Sequence, residues 1–153
     1  SWLNNPAVSN FLEMQQNYTR EMLENYLLNV EKSKILFWAI HLKKNNNHIG
    51  NIKIDPINLK HQLGEYGIMI GDVNEWKKGY AYEATKTVIN YCFNTLKLRK
   101  INLGVIENNV QAVSLYTRIG FIREGIYRYH YCKNNEYLNT LRMALFNPSF
   151  KYT

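Results

Sequence analysis

The chain has few cysteines and prolines and no long apolar run, so the patterns of disulfide frameworks, linkers and membrane spans are missing. It has only two cysteines, Cys92 and Cys132, and three prolines in 153 residues. Two cysteines without metal-ligand spacing exclude a disulfide scaffold and the common zinc modules. The sequence also lacks a secretory signal and any apolar run near the ~20 residues of a membrane-spanning helix. We therefore expect a metal-free, cytoplasmic protein without a membrane partner, folded as one domain over residues 1–153.

Acidic residues are also scarce. The sequence has 12 Asp and Glu against 19 Lys and Arg, for a net charge of +7. Such an excess suits nucleic acid, ribosomes or anionic lipid, and equally the phosphates of a coenzyme and an anionic substrate. The basic residues are scattered along the chain, so a nucleic-acid partner is not expected and solvated surface accounts for most of them.

Hydrophobic periodicity predicts one or two helices and then three strands in the first half of the chain. Helix-start signals occur at residues 4–6 and 19–21, within a helical segment over 2–28. Alternating apolar residues predict strands over 35–42, 48–54 and 65–70. Pro56 should limit the second strand, because proline cannot donate to a ladder.

The second half predicts helices alternating with strands. A helix is expected over 80–96, a strand over 100–106, and a second helix that begins at Asn109 and stops at Gly120. A final hairpin turns at Asn134 and Asn135. The order is a meander followed by strand-helix-strand-helix-strand-strand. This order predicts a mixed, mostly antiparallel α/β sheet flanked by helices.

The segment between the third strand and the first long helix has the composition of a phosphate-binding loop. Gly79 and Ala81 are small enough for the backbone to approach a ligand, and the following helix start offers N–H groups and a positive dipole end. Lys77 and Lys78 add positive charge. The spacing excludes the Walker loop and the three-glycine dinucleotide fingerprint. A turn glycine among solvated lysines remains the alternative on this segment alone.

A second segment about thirty residues downstream strengthens that hypothesis. The predicted strand over 100–106 leads to Asn108 and Asn109, either of which can cap a helix. That helix places apolar residues on one face and ends at Gly120-Phe121, a pair suited to a left-handed helix end with its hydrophobic contact. The pattern reads Asn109-x-x-Ala112-x-x-x-Tyr116-x-x-x-Gly120-Phe121.

With these two motifs in this order, the chain resembles the GNAT superfamily of acyl-CoA-dependent N-acetyltransferases. The loop Trp76-x-x-Gly79-x-Ala81 is followed by Glu83-Ala84, and Gly120-Phe121 by Glu124-Gly125. These pairs are typical of the branch that holds the ribosomal-protein N-terminal acetyltransferases and related small-molecule enzymes. The resemblance covers most of the chain, from Trp38 to Leu145. Trp76 departs from the usual Gln or Arg, and Lys77 from the usual Gly.

The resemblance implies an acetyl-CoA site and a GNAT-like fold. The strand over 67–71 would pair with the pantetheine arm, and an N–H of Met69 or Ile70 would meet the thioester oxygen. Asn109 would hydrogen-bond the cosubstrate or a nearby water. The pyrophosphate would lie on backbone N–H groups of Lys77, Lys78, Gly79, Tyr80, Ala81 and Tyr82.

The resemblance also implies the catalytic roles, which amide formation requires. Tyr116 would place its hydroxyl near the sulfur as general acid, although a core tyrosine on an amphipathic helix has the same spacing. Glu65 is the candidate general base, against a solvated residue at a strand end. His48 and His130 are weaker candidates, because a lone histidine is more often a surface or packing residue.

The acceptor is the least determined part of the function. The stretch from Ile49 to Ile52 with His61 and Glu65 to Asp72 resembles acetyltransferases that modify nucleotide-linked amino sugars. Tyrosines in the last hairpin could stack on a sugar or base, or hold a peptide. A small amine such as an amino sugar is therefore favoured, with a protein N-terminus or a non-catalytic acyl-CoA-binding module as alternatives. The strand that usually precedes the first helix in this family is expected to be either absent or lost by truncation, and a homodimer is one expected assembly.

Overall fold

A computed structural model describes residues 2–10, 12, 18–33 and 35–152. The described residues form six strands and four α-helices in the predicted alternation, which confirms the mixed α/β class. Two short 3-10 helices, Trp2–Asn4 and Val73–Glu75, accompany them. The helices are α1 (Pro6–Ser9), α2 (Arg20–Lys32), α3 (Tyr80–Asn94) and α4 (Val110–Ile119). The strands are β1 (Leu36–His41), β2 (His48–Asn58), β3 (Leu63–Ile70), β4 (Lys100–Ile106), β5 (Ile122–Lys133) and β6 (Glu136–Phe146).

Both predicted helix-start signals in the first half act as caps. Asn5 accepts the N–H of Ala7 at 3.0 Å ahead of α1, and Thr19 accepts the N–H of Met22 at 3.2 Å ahead of α2. The predicted end at residue 28 was wrong, since α2 continues to Lys32. No glycine or proline interrupts residues 29–32, so nothing in the sequence stops the helix earlier.

Two other boundaries also differ from the prediction. The helix predicted to end at residue 96 ends at Asn94, because the chain turns through Lys97 in the left-handed region, at φ 55°. Pro56 does not limit its strand: β2 runs on to Asn58. The pairing of β2 with β1 begins at Ile54, so Pro56 lies where no β1 neighbour requires its missing N–H.

The chain divides into two compact units, the first comprising residues 1–56 and 67–85. This unit holds α1, α2, β1, nearly all of β2, the end of β3 and the start of α3. β1 pairs antiparallel with β2, from Leu36 opposite Ile54 to Ile40 opposite Gly50. Ile49, Ile52 and Ile54 of β2 are buried.

The second unit comprises residues 57–66 and 86–153. Its strands lie in the order β3, β4, β6, β5. β4 pairs antiparallel with β6 along its whole length, whereas its parallel pairing with β3 covers only three residue pairs and ends at Glu65 opposite Asn102. Residues Ile101, Leu103 and Val105 of β4 are buried on one face of the sheet. Asn102 and Gly104 therefore belong to the opposite face.

The last hairpin turns where the sequence predicts. Asn134 and Asn135 both have positive φ, 49° and 63°, between β5 and β6. Asparagine tolerates this conformation better than most residues, which explains the pair at a two-residue turn.

Candidate functional site

The end of β3 carries backbone groups that alternate between its two sides. The Gly71 N–H donates to the Ile49 carbonyl of β2 at 2.8 Å, and a Cβ on Gly50 would lie 2.3 Å from the Met69 carbonyl oxygen. The groups of residues 69 and 71 therefore face β2. Since successive residues of a strand alternate, the N–H and carbonyl of Ile70 face away from β2.

Trp76 joins this strand end to the loop that follows. Its indole Nε1 donates to the Ile70 carbonyl at 2.8 Å, which agrees with the outward direction of the Ile70 groups. The 3-10 helix Val73–Glu75 that leads to Trp76 is capped by Asp72, whose carboxylate accepts the Asn74 N–H at 3.0 Å. The unusual Trp76 therefore has a structural role, because it holds the loop against β3.

The loop turns into α3 through two residues in the left-handed region. Lys77 has φ 62° and Gly79 has φ 87°. Glu83 makes the first backbone bond of α3, to the Gly79 carbonyl at 3.1 Å, so the amides of Gly79, Tyr80 and Ala81 precede the helical ladder. Such turns with positive φ at a helix start form concave sets of N–H groups that bind anions.

The space beside Gly79 is open. A Cβ added there would find no atom within 4 Å, and the residue is exposed. Of the two neighbouring lysines, Lys78 is engaged with Glu75 at 3.0 Å. No ion-pair partner of Lys77 occurs among the described residues, so its charge is available to an anion at the loop.

Asn109 is the N-cap of α4, as predicted. Its Oδ1 accepts the Ala112 N–H at 3.2 Å, and Val110 is the first helical residue. The cap engages the carbonyl end of the side chain, so the Nδ2 end is the part that would serve a ligand. At its other end α4 stops at Gly120, with φ 115° and a bond from the Phe121 N–H to the Tyr116 carbonyl at 3.0 Å. This confirms the predicted glycine helix end.

Tyr116 lies in a cluster of three aromatic rings. Its ring centroid is 5.8 Å from that of Tyr66 and 5.8 Å from that of Phe121, and its side chain is 8% exposed. Burial raises the pKa of Tyr116 to about 12. The hydroxyl is therefore protonated at neutral pH and can donate a proton but not accept one.

Glu65 forms an ion pair that the sequence did not indicate. Both carboxylate oxygens meet the Arg142 guanidinium, Oε1 at 2.7 Å from Nη1 and Oε2 at 2.8 Å from Nη2. Such a bidentate pair fixes the carboxylate in orientation. Glu65 as general base stays a prediction, and both of its carboxylate oxygens are engaged by Arg142 in this structure.

The two histidine candidates have local partners. His48 Nε2 is 2.9 Å from the Gly50 carbonyl oxygen and 2.9 Å from Asn51 Oδ1, and its ring stacks on His41. The His130 ring packs against Tyr127, with centroids 5.1 Å apart.

The predicted site residues divide between the two units. The first unit contains Met69, Ile70 and residues 77–82; the second contains Glu65, Asn109 and Tyr116. Within the second unit, Tyr116 packs on Tyr66, the residue after Glu65. The sequence reasoning missed Arg142, whose partner is 77 residues away, because a separation of that size leaves no local pattern.

Residues 1–122 match the family model described as an acetyltransferase (GNAT) domain. The chain belongs to the GNAT acetyltransferase family. Spermidine N(1)-acetyltransferase of Escherichia coli K12 is 32% identical over 101 residues, which cover 66% of this chain. The matched segment spans only 54% of that relative's length.

Solved structures of this family show the same fold. Spermidine N-acetyltransferase from Vibrio cholerae in complex with CoA and spermine gives a TM-score of 0.86 at 26% identity, over 94% of this chain and 85% of that one. A dodecameric structure of the Vibrio cholerae enzyme gives a TM-score of 0.76 at 26% identity, over 88% of this chain and 78% of that one. These similarities confirm the predicted GNAT-like fold.

Two further findings concern partners. Among the described residues, no helix combines the length and the hydrophobicity required to cross a membrane. The same part of the chain contains no group of three or more His, Cys, Asp or Glu side chains placed to hold a metal ion.

Proposed function

We propose that this GNAT protein transfers an acetyl group from acetyl-CoA to a primary amine. The observation that carries the proposal is the continuous path from the outward backbone of Ile70 through the left-handed loop to the start of α3. This path would offer N–H groups first to the thioester oxygen and then to a pyrophosphate, in that order along the chain.

The residues of the first unit supply the kinds of group that acetyl-CoA requires, namely backbone N–H groups and a positive charge. The alternation of β3 assigns the N–H that would meet the thioester oxygen to Ile70, because the groups of Met69 face β2. The amides of Gly79, Tyr80 and Ala81 and the charge of Lys77 would hold the pyrophosphate. The open space beside Gly79 leaves room for it.

Acetyl-CoA supplies the activated carbonyl: the amine nitrogen bonds to it, the carbon–sulfur bond breaks, and the sulfur leaves as a thiol. Tyr116 would donate a proton to the departing sulfur. Its pKa, raised to about 12 by burial, keeps the hydroxyl protonated for this step. Glu65, directly or through water, would take the proton that the amine loses. Asn109 would hold the cosubstrate or a water through its Nδ2 end.

A polyamine is the acceptor that the relatives favour, because the similar proteins are named for spermidine. A nucleotide-linked amino sugar is the second candidate, favoured by the aromatic surface of the β5–β6 hairpin. Tyr127, Tyr129 and Tyr137 are 50%, 72% and 65% exposed and could stack on a base. The net charge of +7 also suits an anionic acceptor better than a polycation.

Acetyl-CoA and CoA should both raise the melting temperature, since a ligand that binds the folded state stabilises it by mass action. At a ligand concentration of about 100 times Kd the gain is about 2.7 kcal/mol. Differential scanning fluorimetry with CoA and with adenosine as a control ligand measures it. An unchanged melting temperature at saturating CoA would refute the cosubstrate assignment.

Thiol release then tests the reaction and identifies the acceptor. The protein would be incubated with acetyl-CoA and either spermidine, a nucleotide-linked amino sugar, an amino acid or a short peptide with a free N-terminus. Turnover with one class selects it over the others. Stabilisation by CoA with no turnover on any of them would favour a non-catalytic acyl-CoA-binding module.

Self-association is a separate part of the proposal. A homodimer or larger assembly is supported by the dodecamer of the Vibrio cholerae relative. Light scattering coupled to size-exclusion chromatography measures the mass of the particle.

A further inference from the structure

The polar face of the sheet in the second unit carries an unusual side-chain arrangement around Gly104. Arg142 of β6 is the register partner of Gly104 on β4, yet its guanidinium reaches Glu65 on β3. The guanidinium therefore lies across β4. The Tyr127 ring covers it, with the Arg142 Cζ 5.5 Å from the ring centroid.

Glycine at position 104 makes this crossing possible. A Cβ there would lie 2.8 Å from Arg142 Nη1 and 3.2 Å from the Thr140 methyl carbon. Any other residue would push the guanidinium away from its present position. The pair is thus built into the sheet by a particular small residue, and is not an incidental surface contact.

Next to the ion pair lies an acceptor atom without a donor. Asn102 Oδ1 is buried and has no hydrogen-bond partner among the described residues. Asn102 is the register partner of Glu65, so the two side chains are neighbours on the same face. An unsatisfied buried acceptor is costly, and native structures rarely keep one without a reason.

Glu65 and Asn102 together offer carboxylate and amide oxygens to one small region. The chemical group that suits such a set is one with several N–H donors and a positive charge, as in a primary ammonium. The guanidinium of Arg142 satisfies Glu65 but leaves Asn102 Oδ1 without a donor.

We propose that Glu65 and Asn102 form the binding site of the acceptor's ammonium group, and that Arg142 is a positioning residue that pairs with Glu65 until the amine binds. This inference rests on the proposed acetyl transfer. Binding is then an exchange of cations, in which the incoming ammonium replaces the guanidinium. The side chains of Arg142 and Glu65 are 24% and 30% exposed, so solvent can assist the exchange.

Calorimetric titration of spermidine into the CoA-saturated protein tests the exchange without requiring turnover. Arg142→Met removes the competing cation, and Gly104→Ala keeps the charge but displaces the flexible end of Arg142. Both variants should bind spermidine about 2- to 5-fold more tightly, the range expected for release of one partly exposed ion pair. Asn102→Leu should bind it more weakly, because one acceptor atom is lost.

Two control variants distinguish the cation exchange from a general effect of charge removal or of an added Cβ. Arg123→Met removes the same charge at an exposed position of β5, and Gly125→Ala adds a Cβ that meets nothing within 4 Å. Arg123→Met should change the affinity for spermidine less than Arg142→Met does, and Gly125→Ala less than Gly104→Ala does. Arg142→Lys should restore part of the competition and bring the affinity back towards the wild-type value.

Three results would refute this binding site. The first is equal spermidine affinity in the wild type, Arg142→Met and Gly104→Ala at unchanged melting temperatures. The others are an equal gain in spermidine affinity in Arg123→Met and Arg142→Met, and no spermidine binding by any of the proteins. Failure of the proposed function has a different signature, since it is the absence of thiol release by the wild-type protein with every amine in the panel.

Discussion

Tyr116→Phe should lower the turnover number by about 10²- to 10⁴-fold, the usual contribution of a positioned general acid. The phenylalanine ring retains the contacts with Tyr66 and Phe121, so the aromatic cluster should stay packed. The affinity for CoA should change little. Steady-state kinetics with the acceptor identified by the panel, together with CoA titration, measures both quantities.

The protonation state of Tyr116 makes this prediction specific. Because burial raises its pKa to about 12, the neutral hydroxyl dominates from about pH 6 to pH 9. Ionisation of Tyr116 should therefore not lower turnover in that interval, and a rate that falls there must reflect another group. Tyr66→Phe serves as the control, since it removes a hydroxyl from the same cluster and should leave turnover within a few-fold of wild type. Equal turnover in Tyr116→Phe and wild type would restrict Tyr116 to packing.

Gly79→Val should weaken the binding of CoA by about 10- to 100-fold. A β-branched residue is strained at φ 87° by roughly 1–3 kcal/mol, and its side chain would enter the open space where the pyrophosphate is proposed to lie. Because no protein atom lies within 4 Å of the new Cβ, the fold should tolerate the change sterically. Isothermal titration with CoA measures the loss.

Gly79→Ala separates the two causes of that loss. Alanine carries most of the backbone strain but has a much smaller side chain. If the pyrophosphate lies on the loop, valine should cost clearly more affinity than alanine at similar melting temperatures. Wild-type affinity in Gly79→Val would place the phosphates elsewhere.

The parts of the fold that could be predicted depend on short-range chemistry. The cap at Asn109, the end of α4 at Gly120 and the hairpin at Asn134 and Asn135 each depend on neighbouring residues, so the sequence alone predicts them. The same holds for the loop, whose glycine precedes a helix. Boundaries were less predictable: β2 passes Pro56 because of where its neighbour β1 stops pairing, a fact of tertiary structure.

The contacts within the candidate site were even less predictable from the sequence than the element boundaries. Glu65 could be selected by its place on β3, but its bond to Arg142 joins residues 77 apart and depends on Gly104 in a third strand. The bond from Trp76 to Ile70 likewise turns a departure from the family pattern into a support for the loop. Neither contact leaves a periodic signal in the sequence. Both became evident only from the side-chain positions.

The alternation at the end of β3 gives the protein an internal reporter of occupancy. The Gly71 amide is already bonded to β2, whereas the Ile70 amide faces the other way and lies beyond the last pair of the β3–β4 ladder. In deuterated solvent the Ile70 amide should therefore exchange quickly in the free protein and the Gly71 amide slowly. If the thioester arm pairs with this edge, CoA should slow exchange at Ile70 while leaving Gly71 almost unchanged. Adjacent amides of one strand would then distinguish a bound arm from a general stiffening of the fold.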